Sequence, residues 1–328
     1  MPGVWTLFDV WCAPDGVCLG VGAVDVDAGR LVGAVVVLRA SGPIGPVRLV
    51  PGTERLYDID CPPGGSCMAV GIGTFSTAGP VVVQVSRDGT PGVPVVVPGM
   101  TDVSDVACPT ATTCLVTGIR RTFTYPYSPT IYLFSVLTNG QPGPVQRLPR
   151  RMTDAVGIDC PTATRCLVSG ANGFGVLTNV DGAWVGDFQQ FWSPTGSPDG
   201  EVSCGSPTTC NAIPRGFVPT GGTGHYAVPA MIPVTTDGVA GPVQLLTDRQ
   251  GSSNGISCVF GRNCTVVGLL HSAGAISVDV FRGTPMPPRI WPGAIAFLGV
   301  SCVAPATCGM VGYGPDGAVF AWYGPVPA

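Results

Sequence analysis

Fourteen cysteines stand in this chain as seven pairs of the form C-x₅-C: Cys12/Cys18, Cys61/Cys67, Cys108/Cys114, Cys160/Cys166, Cys204/Cys210, Cys258/Cys264 and Cys302/Cys308. None is left over. A complete set of regularly spaced cysteines reads as a disulfide framework, which persists in an oxidising compartment. Zinc would want tighter C-x₂₋₄-C pairs converging in fours, and the chain offers only two His. Redox catalysis would need a thiol outside the pairs. The cysteine chemistry is therefore structural, each bond closing a short loop and contributing roughly 2 kcal/mol by the chain-entropy estimate.

Carboxylates form the second constellation. Three residues before the first cysteine of a pair stand Asp9, Asp58, Asp105 and Glu201, with Gly157, Gly255 and Gly299 in the other three units. Placed on corresponding strands around an axis, these oxygens could hold Ca²⁺ or another hard cation. The competing role is to accept backbone N–H bonds from the neighbouring unit. Ca²⁺ at this ring is the one cofactor the sequence suggests.

A third set mixes Arg and aromatic residues. Arg120, Arg121, Tyr125 and Tyr127 lie in residues 119–130, Arg150, Arg151 and Asp154 follow, and Arg215, His225 and Tyr226 lie in residues 212–227. Arg forks match carboxylates and sulfates, and Tyr rings stack on sugars or peptide side chains. That combination suits an anionic glycan or an acidic peptide; the bland alternative is solvated loop charge.

Catalytic patterns are poorer. Residues 251–255 (GSSNG) match G-x-S-x-G, but they lead into a strand, whereas a nucleophile elbow needs a strand-to-helix turn. H-E-x-x-H is absent, and Gly20-Val21-Gly22 lacks the context of a nucleotide loop. A sialidase-like site would need a Glu partner, and neither Glu54 nor Glu201 lies in a recognisable motif. No catalytic residue is assigned. The enzymatic alternative is a glycoside hydrolase or lyase using a carboxylate pair at a channel mouth.

The elements that position these residues follow from the repeat. First cysteines lie 49, 47, 52, 44, 54 and 44 residues apart, the period of a four-stranded propeller blade. A β-branched residue stands two before the first cysteine in every unit (Val10, Ile59, Val106, Ile158, Val202, Ile256, Val300). Gly22, Gly71, Gly118, Gly170, Gly268 and Gly312 stand four after the second; Pro214 replaces the glycine in the fifth unit. Turn formers separate the cysteines, so each unit reads as strand A, a tight turn and strand B. A B–C loop, a Val-rich strand C, a Gly/Pro/Asp/Asn turn and a D strand such as PVQRL or PVQLL complete it. The expected fold is all-β: one seven-bladed β-propeller over residues 1–328, with blades starting near 6, 55, 102, 154, 199, 252 and 296.

Residues 105–118 (DVACPTATTCLVTG) and 158–170 (IDCPTATRCLVSG) resemble the cysteine-paired propeller repeats of secreted actinobacterial proteins. The turns Ser86-Arg87-Asp88-Gly89, residues 178–184 (TNVDGAW) and Thr236-Asp237-Gly238 are similar to the degenerate Asp-box turns of sialidase-like and photosystem-assembly-type propellers. The resemblance implies fold and compartment and transfers no catalytic residue.

Composition narrows the function classes. All 16 basic residues are Arg, the formal net charge is −4, and only 11% of residues are charged, so no basic face for nucleic acid is expected. The longest apolar runs fall far short of the ~20 residues a membrane helix needs. The sequence leads almost directly from Met1 into the first repeat, so secretion would follow removal of a leader or another export route. Near the end, Gly324-Pro325-Val326 resembles the start of a D strand. It is expected to share the outer strand of the last blade with residues 1–5. The functional expectation is a secreted or cell-surface recognition or structural module, without catalysis. It would bind a glycan or protein, in a larger extracellular assembly, through the face that carries the variable B–C and D–A loops.

Overall fold

In the computed structural model the chain is a seven-bladed β-propeller. The structure describes residues 3–27, 29–41, 43–74, 79–121, 130–148, 152, 157–191, 200–214 and 227–325. The innermost strands are Val4–Cys12, Thr53–Asp60, Asp102–Thr110, Ile158–Thr162, Val202–Ser206, Gly251–Val259 and Ala296–Ala304. Each pairs antiparallel with strand B of its own blade, B with C, and C with an outer strand in the first six blades, short in all but the fourth, where it spans Ala183–Gln190.

Strand C reads as an unbroken apolar run because it is covered on both sides. Ala34, Val35, Val36, Val37 and Leu38 are all buried. Alternate residues face alternate neighbours. Leu19, Val21, Val35 and Val37 of the first blade pack on Leu56, Ile59, Ala69 and Val83 of the second, so the core lies between blades.

All seven disulfides form as the spacing predicts, with Cα–Cα distances of 3.8–4.0 Å. In the register, Cys12 stands directly opposite Cys18, Cys204 opposite Cys210, Cys258 opposite Cys264 and Cys302 opposite Cys308. The other three bonds lie where the regular ladder ends or slips. Cys61–Cys67 closes the hairpin one step beyond Asp60 opposite Met68. Cys108–Cys114 and Cys160–Cys166 span register shifts, the first between Ala107–Leu115 and Thr110–Thr113, the second between Asp159–Leu167 and Thr162–Arg165.

Spacing alone does not disclose how deep these bonds lie. Cys67 and Cys166 are 0% exposed and Cys114 is 6% exposed, so they belong to the core and are closed to any ligand. The reason is that the second cysteine stands on strand B, inside the blade and covered by the blade before it. Cys67 shares a cluster with Leu19 and Val37 of blade one, Cys114 with Met68 and Val70 of blade two, and Cys166 with Ala107 and Leu115 of blade three.

So close an approach of paired cysteines belongs to the non-hydrogen-bonded pair of an antiparallel ladder. The first cysteine's N–H therefore points away from strand B, toward the preceding blade. That direction organises the channel.

The two faces separate as the repeat implies. C–D turns bond to A–B turns on the disulfide face: Asn139 N–H donates to Thr112 O, Asn179 N–H to Thr164 O and Gly283 N–H to Arg262 O. On the same face Asp88 accepts the Thr90 N–H at 3.1 Å, Gly89 takes φ +82°, and Arg87 donates to Pro62 O and Gly65 O while lying 4.3 Å over the Trp11 ring. The B–C and D–A connections meet on the opposite face, where Thr101 N–H donates to Ile119 O and His271 N–H to Gln250 O.

Blade seven departs from expectation. Among the described residues it has three strands, ending at Gly317–Tyr323, and Val4 and Trp5 do not join its outer edge. They open the innermost strand of blade one, with Val4 opposite Val24. The physical reason is burial: Val4 is 2% exposed and packs with Leu7, Val311 and Ala318 at the seam between the last and first blades.

Candidate functional site

The channel is built tier by tier from strand A. Counting back from the first cysteine, positions −2 and 0 turn their N–H groups toward the channel, and the preceding blade supplies the acceptors. From position −3, Asp9 Oδ2 accepts the Ile59 N–H at 3.2 Å, Asp58 Oδ2 that of Val106 at 2.7 Å, Asp105 Oδ2 that of Ile158 at 2.6 Å, and Glu201 Oε2 that of Ile256 at 3.0 Å. From position −1, Asp60 accepts Cys108 N–H and Asp159 accepts Cys204 N–H, each at 2.6 Å. Ser203, Ser257 and Ser301 do the same for Cys258, Cys302 and Cys12 at 2.9–3.0 Å. Every one of the seven seams carries at least one such bridge, and each runs from one blade to the next in the same sense.

Where position −3 is glycine, the strands close up instead. A Cβ at Gly299 would lie 2.6 Å from Asp9 Cα, one at Gly255 2.7 Å from Leu298 O, and one at Gly157 2.9 Å from Val202 N.

Enclosure of the acids sets their protonation. Asp9 and Asp105 are held well above the usual carboxylate range, first by burial and then by the charge of, and hydrogen bond to, Asp58. Burial raises Asp60 to about 7 and Asp159 to about 6, against the lowering effect of the N–H bonds each accepts. The four residues predicted as a cation ring are thus brought together, each engaged with a backbone donor. Among the described residues, no group of three or more His, Cys, Asp or Glu is arranged to hold a metal ion.

Above the acid tier the channel opens into a cavity of about 450 Å³ on the face of the B–C and D–A loops. A smaller space of about 240 Å³ lies below, and Asp58, Asp105 and Glu201 line both. Position −4 contributes Phe8, Tyr57, Ser104, Gly200, Asn254 and Leu298 to the mouth. In a regular strand, positions −4 and −3 would point to opposite sides. A β-bulge in strand A brings both to the channel, with register slips between Leu7 and Asp9, Leu56 and Asp58, Ser253 and Gly255, and Phe297 and Gly299.

The same bulge accounts for the glycine four residues after the second cysteine. It swings strand A's backbone across strand B, so a Cβ on Gly22, Gly71, Gly118, Gly268 or Gly312 would sit 2.0–2.3 Å from a strand A carbonyl oxygen. Sequence reasoning found that glycine and missed the mouth residues it exposes. The glycine is the signal that could have led to them.

The remaining predicted residues divide. Arg120 and Arg121 are exposed on the loop face, but they end the strand Thr113–Arg121 rather than lying in a loop. The hairpin keeps its pairing up to Arg121 opposite Thr130, which lifts both above the blade. Arg121 N–H donates to Thr101 Oγ1 at 3.0 Å, and the Arg121 charge lowers Asp102, which burial otherwise raises. Burial, and after it the charge of Asp102, raise the Tyr57 phenol at the mouth. Tyr125, Tyr127, Arg150, Arg151, Asp154, Arg215, His225 and Tyr226 lie outside the described residues.

Ser253 of the G-x-S-x-G match is buried in strand A, its Oγ accepting the Ala230 N–H at 3.2 Å and donating to Ala230 O at 3.3 Å. It stands among the residues lining the mouth cavity, with its hydroxyl engaged by the Ala230 backbone.

Comparison with known proteins gives a likeness of fold alone. No known family and no curated protein matches the sequence. An acylaminoacyl peptidase from Pyrococcus horikoshii, in an orthorhombic crystal form, superposes with a TM-score of 0.60 at 10% identity, covering 98% of this chain and 52% of the peptidase. Its uncomplexed form gives 0.59, again at 10% identity, covering 98% and 51%. A functionally unknown protein from Desulfotomaculum acetoxidans gives 0.56 at 11% identity, covering 89% and 87%. The chain spans about half the length of the peptidase it matches.

Proposed function

We propose that this chain is an extracellular recognition module, without catalysis of its own, that binds a glycan or protein through the face where the channel mouth opens. One observation carries the reading. The 450 Å³ cavity lies on the face of the length-variable connections, while the opposite face is occupied by stapled A–B hairpins and the C–D turns bonded to them. A rigid scaffold presenting a preformed mouth lowers the ordering cost of binding. A disulfide in every blade supports an oxidising exterior, as does the resemblance of the repeats to those of secreted actinobacterial proteins. No helix of the described chain is long and apolar enough to cross a membrane.

The rival reading is a glycoside hydrolase or lyase at the mouth. Asp58, Asp105 and Glu201 at the cavity floor favour it, because such chemistry needs one carboxyl protonated and one ionised. Against it, each of these carboxyls already accepts a neighbouring blade's N–H and serves the ring. The peptidase likeness, at 10% identity, brings no activity to this chain. A glycan array run beside a broad glycosidase and lyase screen separates the two. Binding without turnover is expected, and turnover of any glycan would replace the binding reading.

A further inference from the structure

The mouth cavity is amphipathic around its circumference. Leu298, Phe8 and Tyr57 come from blades seven, one and two, so three consecutive blades make one apolar arc. Phe8 and Tyr57 meet edge to face, with centroids 5.9 Å apart and planes at 68°, so one of the two rings turns its edge to the other's face. The flanking walls are polar, with Ser104 of blade three on one side and Ser252, Ser253 and Asn254 of blade six on the other, while blade five adds Gly200 and Ile213 across the cavity. Ser252 Oγ donates to Asn254 Oδ1 at 3.0 Å and Asn254 Nδ2 donates to Phe297 O at 2.9 Å, which fixes the amide. No described Arg or His lines the cavity, and the chain has no Lys. The floor is carboxyl.

We infer that the mouth is a binding site for a single uncharged pyranose, seated with its C–H face on the Leu298–Phe8–Tyr57 arc and its hydroxyls toward Ser104, Ser252, Asn254 and the floor. This deepens the recognition reading above and rests on it. A pyranose has one apolar face and an equatorial belt of hydroxyls, the same division that the cavity wall shows. Hydroxyls donate and accept, so they match a floor of carboxyl oxygens. An anionic sugar would place its carboxylate over Asp58, Asp105 and Glu201 with no cation to offset them. The volume lies at the lower end of small-molecule sites, which suits one ring with ordered water rather than an extended chain.

The test uses the full chain and free monosaccharides, read by saturation-transfer NMR and titration calorimetry. The probes are glucose, galactose, mannose and N-acetylglucosamine, with glucuronate as the anionic control and glucosamine as the cationic one. At least one uncharged sugar should bind, with glucuronate silent and glucosamine no better than its N-acetyl form. Tyr57→Ala should weaken that binding about tenfold or more, and Tyr57→Phe should retain most of it. Tyr57 also packs on the core between blades two and three, so Leu298→Trp, which fills the mouth, serves as a second variant. It should abolish binding while the melting temperature holds.

Three results would overturn the inference: no uncharged sugar binding at millimolar concentration, a preference for either charged sugar, or binding that both variants leave unchanged. A glycan or protein ligand found on the array whose binding is weakened by Arg121→Ala but not by Leu298→Trp would remove this inference alone and leave the recognition module standing. An array and a sugar panel both empty would remove this inference together with the glycan form of the recognition reading.

Discussion

The seams between blades solve one problem in two ways. Where position −3 is acidic, as in blades one, two, three and five, a carboxyl spans the gap and takes the next strand's N–H at 2.6–3.2 Å. Where it is Gly157, Gly255 or Gly299, the backbones come close enough that even a methyl group would collide. Those seams rely instead on position −1, through Asp159, Ser257 and Ser301. The carboxyl seams are therefore spaced, and the two seams served by Ser257 and Ser301 are tight and carry a neutral acceptor at position −1. The first four blades carry most of the enclosed acid, and blades six and seven offer serine rather than a carboxyl at position −1.

The largest effect should come from adding a methyl group at a tight seam. Gly299→Ala drives a Cβ to 2.6 Å from Asp9 Cα and 2.9 Å from Phe8 O, backbone atoms that cannot step aside alone. Thermal and urea unfolding should show a loss of about 2–3 kcal/mol. A loss below about 0.5 kcal/mol would mean that the tight seams have slack and that the contrast is false.

The second effect is pH. Asp60 at about 7 and Asp159 at about 6, with Asp9 and Asp105 raised as well, hold protons in the folded state that the unfolded chain releases near its ordinary carboxyl value of 3.8. A raised carboxyl favours folding fully below that unfolded value, and the contribution is lost as pH rises through the folded one. The melting temperature should accordingly fall from about pH 4 to about pH 7, where most proteins gain stability. Asp60→Asn with Asp159→Asn keeps an acceptor at both positions and should flatten the profile. A rise in stability over that interval would overturn the assignment of protons to the seams.

Smaller effects compare single with double bridges. Ser301→Ala removes the strand A side-chain bridge described at the seam between blades seven and one and should cost about 1 kcal/mol. Ser203→Ala leaves Glu201 in place across its seam and should cost measurably less. Equal losses, read by chemical denaturation, would show that bridges at one seam do not share their role.

How far the sequence discloses this depends on the device. Cysteine spacing discloses the blade count, because a covalent cross-link leaves a fixed interval in the chain. It is silent on depth, so the burial of Cys67, Cys114 and Cys166 between blades emerges only from the packing. The acids at position −3 are legible as a set, and of their two readings the backbone-accepting one describes all four. Phe8, Tyr57, Ser104, Asn254 and Leu298 are hidden because a bulge shifts the two-residue period just where they stand, so no alternation marks them. Their trace is the glycine on the partner strand. The shared outer strand expected of residues 1–5 misreads Val4, which has the strand-forming character wanted at either site and is drawn inward by burial. Long connections such as residues 212–227 carry Gly and Pro in number but no hydrophobic periodicity, which marks a loop without fixing its path.

The common sense of the bridges at all seven seams has a consequence for fragments. Each blade offers an acceptor side chain to the blade after it and N–H donors to the blade before it, so the contact is head to tail, as between subunits of a cyclic oligomer. Such a contact has no self-complementary form: two blades cannot satisfy each other by a two-fold turn. A fragment cut at any D–A connection would end in one unmatched acceptor side and one unmatched donor side, fitted to each other. Complementary fragments mixed in solution should therefore re-form the ring rather than pair at random, with the total blade number deciding when the circle shuts.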